Sequence, residues 1–122
     1  MNKLMIVDDS STMRKIIMRV LRQADIACDS IVEAGNGVEA LEALTSNPDV
    51  ELILSDVNMP EMNGIDLVKN VRDQGKSIPI IMITTEGGDS MREKAMDNGA
   101  NGYVCKPFTP ETIRSALEPH VG

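Results

Sequence analysis

Five side chains have types and positions that suit phosphoryl or cation chemistry: Asp8, Asp9, Asp56, Thr84 and Lys106. Each stands at or just past the end of a short apolar run. Leu4–Val7 leads to Asp8-Asp9, Leu52–Leu54 to Asp56, Ile80–Ile83 to Thr84-Thr85, and Tyr103–Cys105 to Lys106. Carboxylates on neighbouring strands, about 4.8 Å apart, can share one small ion. Packed that closely they repel and raise one another's pKa, a cost that a hard divalent cation removes. Oxygen ligands with retained waters suit Mg²⁺, which also bridges to phosphate. A lone Lys adds a compact positive charge and a Thr hydroxyl a neutral donor. An Asp carboxylate can itself accept a phosphoryl group, and cation, Lys and Thr would stabilise its oxygens. Taken singly, each piece reads as a turn, a helix cap or a surface residue; only their joint placement points to a site.

That placement needs a sheet. Apolar runs alternate with longer stretches of helical spacing. A fifth, more polar run covers Ser30–Ala34. Met13, Ile16, Ile17, Val20 and Leu21 form the stripe of the first helix, capped by Ser10, Ser11 or Thr12. The second helix starts at Asn36, with Glu39 placed for a capping box, and ends before Pro48. The third runs from about Ile65 to Asp73, with Gly75 as its stop. The fourth runs from near Asp89 to Gly99. The fifth opens on Thr109-Pro110-Glu111 and ends or kinks at Pro119. Five strands alternating with five helices predict an α/β fold with a parallel sheet. The near-continuous apolar runs fit central strands, and the polar second and short fifth runs fit edges. Ligands of such sheets sit at the carboxyl ends of the strands.

Composition narrows the classes. A chain of 122 residues makes one domain, residues 1–122. Twelve Lys and Arg against nineteen Asp and Glu give a net charge of −7, which argues against polyanionic partners such as nucleic acid or an anionic membrane. Only Tyr103 and Phe108 are aromatic, so stacking platforms for single strands are missing. Cys28 and Cys105 make neither a metal motif nor a disulfide framework; Cys105 is expected to be a small buried hydrophobe. No cationic leader precedes the first apolar run, and the longest run, from Ile78 to Ile83, is far too short for a membrane helix. The expected location is the cytoplasm.

The motifs in order are Ile6-Val7-Asp8-Asp9-Ser10-Ser11, Asp56-Val57-Asn58-Met59-Pro60-Glu61-Met62-Asn63-Gly64, Thr84, and Gly102-Tyr103-Val104-Cys105-Lys106-Pro107-Phe108. Over essentially the whole chain this set resembles the receiver domains of bacterial response regulators. Ser11-Thr12-Met13-Arg14 and Gly99-Ala100-Asn101-Gly102-Tyr103 resemble the single-domain chemotaxis members. The resemblance implies a flavodoxin-like, doubly wound five-stranded parallel sheet of order 2-1-3-4-5. It implies phosphorylation of Asp56 by a sensor histidine kinase or a small donor such as acetyl phosphate. Asp9 and Asp56 would bind Mg²⁺ through their carboxylates, Asp8 largely through a metal-bound water, and Asn58 through its carbonyl. Thr84 and Lys106 would contact the phosphoryl oxygens, and Lys106-Pro107 would be cis. Tyr103 would turn inward as Thr84 moves, and the readout face would be the fourth helix, fifth strand and fifth helix. Asn58 and Glu86 occupy the positions that tune self-dephosphorylation and imply a short-lived phosphoryl state.

The chain departs from the flagellar pattern. Gly87-Gly88-Asp89 lacks the lysines that flagellar-binding members carry there, the fifth helix around Ala116 restores no basic patch, and Val57 replaces a frequent Trp. The flagellar motor is thus a doubtful target for an otherwise monomeric chemotaxis or motility regulator. A dehalogenase-type phosphohydrolase would want an acid two residues after the nucleophile, where this chain has Asn58. A nucleotide-binding module would want a glycine-rich phosphate loop after the first strand. The third alternative is a receiver used only as a scaffold. The basic face of the first helix is read as solvated, with a possible role in docking the phosphodonor. His120 is read as a surface residue, and the nine methionines as core and helix filler.

Overall fold

The computed structural model describes residues 3–85 and 89–120. The elements are β1 (Lys3–Val7), α1 (Ser11–Gln23), β2 (Ser30–Ala34), α2 (Gly37–Ser46), β3 (Leu52–Ser55), α3 (Gly64–Asp73), β4 (Ile80–Thr84), α4 (Asp89–Asp97), β5 (Gly102–Cys105) and α5 (Pro110–Leu117). A single 3₁₀ turn over Glu118–His120 follows at Pro119. All strand pairs are parallel, and the order is β2-β1-β3-β4-β5.

Lys3, Ser55 and Thr84 at their ends apart, the central strands are apolar because both faces of the sheet are covered. Met5, Val7, Ile53 and Met82 point into one core with Ala40 and Leu44 of α2, Leu67 and Val71 of α3, and Ala95 of α4. Leu4, Ile6, Leu54, Ile81 and Ile83 point into the other with Ile17 and Leu21 of α1 and Ile113 and Leu117 of α5. Each buried Leu or Ile adds roughly 1.5–3 kcal/mol. β2, with an exposed Ser30 and Glu33, is an edge, as expected.

Side chains satisfy the helix starts. Ser10, Asn36 and Asn63 accept from the Met13, Glu39 and Asp66 amides, and Thr109 shares a reciprocal capping box with Thr112. At α2 the expected box is displaced by one residue. The Glu39 carboxylate accepts from the Gly35 amide at 3.1 Å instead of the Asn36 amide.

Two burial expectations are corrected. Ile16 is exposed, because the stripe that α1 buries is Ile17, Val20 and Leu21. Cys105 is exposed as well. Alternation along the edge strand puts it on the side of Tyr103, which packs with the first core, but at a carboxyl end that core no longer covers.

Arg72 of α3 closes the amino edge of the sheet. Its guanidinium donates to the carbonyls of Gly99 (2.9 and 3.1 Å) and Lys76 (3.0 Å) and to Asn101 Oδ1 (2.9 Å). Asn101 Oδ1 in turn accepts from the Ile80 amide at 3.0 Å. Arg72→Met strands these acceptors, and urea unfolding should show a loss of about 2–3 kcal/mol.

Candidate functional site

The sheet's hydrogen bonds run one step past its carboxyl ends, and that step fixes three of the site residues. The Asp8 amide donates to Ala34 O (3.0 Å), the Asp56 amide to Val7 O (2.9 Å), and the Lys106 amide to Thr84 O (2.7 Å). Thr84 itself is the last residue of β4 and fully buried. The backbone ladder, not a flexible loop, therefore aims Asp8, Asp56, Thr84 and Lys106 at one point.

The side chains meet there. One carboxylate oxygen each from Asp8, Asp9 and Asp56 lies within 4.8 Å of the others. Lys106 Nζ stands 3.2 Å from Asp8 Oδ2 and 3.6 Å from Asp56 Oδ2. Asp8 is 2% exposed and also accepts from the Ser10 amide at 2.9 Å. Asp56 Oδ1 accepts from the Val57 amide at 2.8 Å, and the Thr84 hydroxyl donates to the same carboxylate. Asp9 is exposed.

Burial is the main force on Asp56, and it pushes the carboxyl above its ordinary 3.8. The charge of Asp8 adds to that rise. Lys106, the Val57 amide and the Thr84 hydroxyl oppose it without cancelling it. The site thus holds more negative charge than one ammonium balances.

The donor set fits a hard divalent cation. All three acidic groups offer oxygen, and they grade from buried (Asp8) through half-buried (Asp56) to exposed (Asp9), so water keeps access. Asn58 lies two residues past Asp56, in the exposed loop before α3. The Lys106-Pro107 peptide is cis, as the resemblance implies. Tyr103 is half-buried on β5, one strand away from Thr84. Glu86 lies outside the described residues.

Two residues that shape the site were not singled out by type or spacing. Gly64 begins α3 against Asp56: its amide donates to Val57 O at 2.8 Å, and a Cβ there would overlap the Asp56 carbonyl and stand 2.6 Å from Met82 Cε. Its place after the capping Asn63 was the available signal. Arg14, read as part of a solvated face, folds back to the acidic loop instead. Beside the site, Met13, Ile16, Val20, Thr85, Lys106, Pro107 and Phe108 line an apolar hollow.

The response regulator receiver domain family matches residues 4–118. The chain is 50% identical over 122 residues to the chemotaxis protein CheY1 of Helicobacter pylori, covering 98% of this chain and 97% of that protein. It is 49% identical over 122 residues to a CheY homolog of Campylobacter jejuni, covering 98% and 92%. Among solved structures, chemotaxis protein CheY4 of Vibrio cholerae superposes with a TM-score of 0.84 at 37% identity, covering 98% of each chain. No described helix is long and apolar enough to cross a membrane. With its doubly wound sheet, its carboxyl-edge acids and these relatives, the chain belongs to the response regulator receiver domain family.

Proposed function

We propose that this chain is a single receiver domain that takes a phosphoryl group on Asp56 from a sensor histidine kinase and signals by binding another protein. The observation that carries the reading is Lys106 Nζ set between Asp8 and Asp56, beside a third acid and the Thr84 hydroxyl. The kinship with CheY proteins supports a place in chemotaxis or motility, in the cytoplasm.

Mg²⁺, held by the Asp9 and Asp56 carboxylates and the Asn58 carbonyl with Asp8 reached through water, would neutralise charge on the phosphoryl oxygens. The remaining work falls to the chain's own residues. An Asp56 oxygen forms the new bond to phosphorus, and the donor leaves with the electron pair of its own bond. The Val57 amide holds the other Asp56 oxygen and so fixes the carboxylate plane. The Lys106 ammonium and the Thr84 hydroxyl, already directed at Asp56, move onto the phosphoryl oxygens. When Thr84 shifts, space opens beside β4 into which Tyr103 turns. That changes the face formed by α4, β5 and α5, where the target binds; the phosphoryl group biases an existing two-state equilibrium. The apolar hollow beside Lys106 and the basic face of α1 suit docking of the kinase's phosphodonor domain. Asn58 and Glu86 set the rate at which water removes the phosphoryl group.

The test is incubation with acetyl phosphate and MgCl₂, followed by intact mass. One phosphoryl group should be gained in Mg²⁺ and none in EDTA. On removing the donor the label should decay without any added phosphatase. Uptake independent of Mg²⁺ would contradict the reading, and a stable phosphoprotein would contradict the dephosphorylation part alone.

A further inference from the structure

The β1–α1 loop carries two of the three acids, yet they are held unequally. Asp8 is anchored by its amide on β2, by the Ser10 amide on one carboxylate oxygen and by Lys106 on the other. Among the described residues no hydrogen bond or ion pair orients the Asp9 carboxylate. What fixes Asp9 is the peptide plane that joins it to Asp8. The oxygen of that plane, Asp8 O, accepts from Arg14 Nη1 at 2.6 Å. The other side of the guanidinium is pinned to the neighbouring strand, since Arg14 Nε donates to Glu33 Oε1 at 2.9 Å. The Arg14 side chain is 18% exposed, which is low for an arginine in the first turn of a surface helix.

We propose that Arg14 is a positioning residue for the cation site, clamping the Asp8–Asp9 peptide to β2 through Glu33 so that both carboxylates are aimed before the cation arrives. The proposal rests on the cation reading above. A planar fork can hold two acceptors at fixed angles, whereas an ammonium is a single compact charge. Groups that orient a metal's ligands typically change affinity by about 10–100-fold when removed.

The sign of the effect separates clamp from charge. A cation beside three carboxylates repels an incoming divalent ion, so if Arg14 acted only by its charge, its removal would tighten binding. Acting as a clamp, its removal must weaken binding.

The experiment is calorimetric titration of the intact chain with MgCl₂ at 25 °C, alongside thermal unfolding without Mg²⁺. The variants are Arg14→Gln, Arg14→Lys, Glu33→Gln, Glu33→Ala and, as a charge control on the same helix, Arg19→Gln. Arg14→Gln should raise Kd by about tenfold, and Arg14→Lys by nearly as much despite its retained charge. Glu33→Ala should weaken binding, and Glu33→Gln, which keeps a neutral acceptor for Nε, should weaken it less. Arg19→Gln should not weaken it. A lowered Tm with an unchanged Kd would make Arg14 merely structural and overturn the proposal, as would unchanged or tighter binding in Arg14→Gln. If the wild-type chain binds no Mg²⁺, the cation reading and the clamp fall together; if it binds Mg²⁺ and the Arg14 variants bind equally well, the clamp falls alone.

Discussion

Asp56→Asn protein, incubated with labelled acetyl phosphate and Mg²⁺, is expected to take up no label above that of an unrelated protein, while gaining thermal stability in the absence of divalent cation. Both effects come from one oxygen's charge. Asn keeps the shape and can still accept from the Val57 amide, but an amide is no nucleophile toward phosphorus. It also removes a carboxylate that burial penalises and Asp8 repels. The pH dependence gives the stability half its own test. Asp56 binds its proton more tightly in the folded chain than in the unfolded one. Its contribution to stability therefore falls as pH rises from the ordinary carboxylate value near 3.8 to the raised one, and stays low above it. The stability gap between Asp56→Asn and wild type should accordingly open across that window and stay open at neutral pH. Retained labelling would move the acceptor to another residue. A gap that closes with rising pH would mean that the site stabilises the ionised carboxylate.

Among the described glycines, Gly64→Ala should disturb the fold most. The added Cβ overlaps the Asp56 backbone carbonyl and presses on Met82, which is fully buried. Backbone cannot swing aside as a flexible side chain can, so either α3 or the acceptor strand end must move. Overpacking of a tight core costs about 1–3 kcal/mol, with backbone clashes at the top of that range. For a chain of this length, a Tm lowered by about 10 °C is expected. Phosphorylation by acetyl phosphate should fall as well, because the displaced carbonyl belongs to Asp56, the proposed acceptor. A variant with wild-type Tm would show that α3 does not pack on β3 this closely.

Much of the architecture was legible because each signal had a local cause. Uniformly apolar runs mark strands covered on both faces, and Asn36 and Thr109-Pro110 mark helix starts through their own hydrogen bonds, whereas the third helix starts earlier than the Ile65 expected, capped by Asn63. The strand order had no such local cause. Nothing in the spacing of Leu4–Val7 and Leu52–Ser55 says that those strands are neighbours; the order followed from the family resemblance, and the sheet agrees with it. Exposure was misjudged where tertiary cover decides it. Cys105 belongs to an apolar run, yet its strand end is bare, and Ile16 has helical spacing but falls outside the buried stripe. Gly64 and Arg14 were not legible as site residues. One matters for the side chain it lacks, and the other reaches back across a loop to carbonyl and carboxylate partners that only the folded chain brings near.

The ion pair between Lys106 and Asp8 joins residues 98 positions apart. It exists only once β1, β3, β4 and β5 lie side by side. No fragment of the chain owns a working acceptor: the acids come from the first half and the ammonium from the last fifth. On the proposed function, a chain still being synthesised, or one cleaved between β4 and β5, would therefore be deaf to a phosphodonor. On that reading, competence to signal arrives with the final strand, so the geometry proposed to receive the phosphoryl group would also vet the folding of the molecule that carries it.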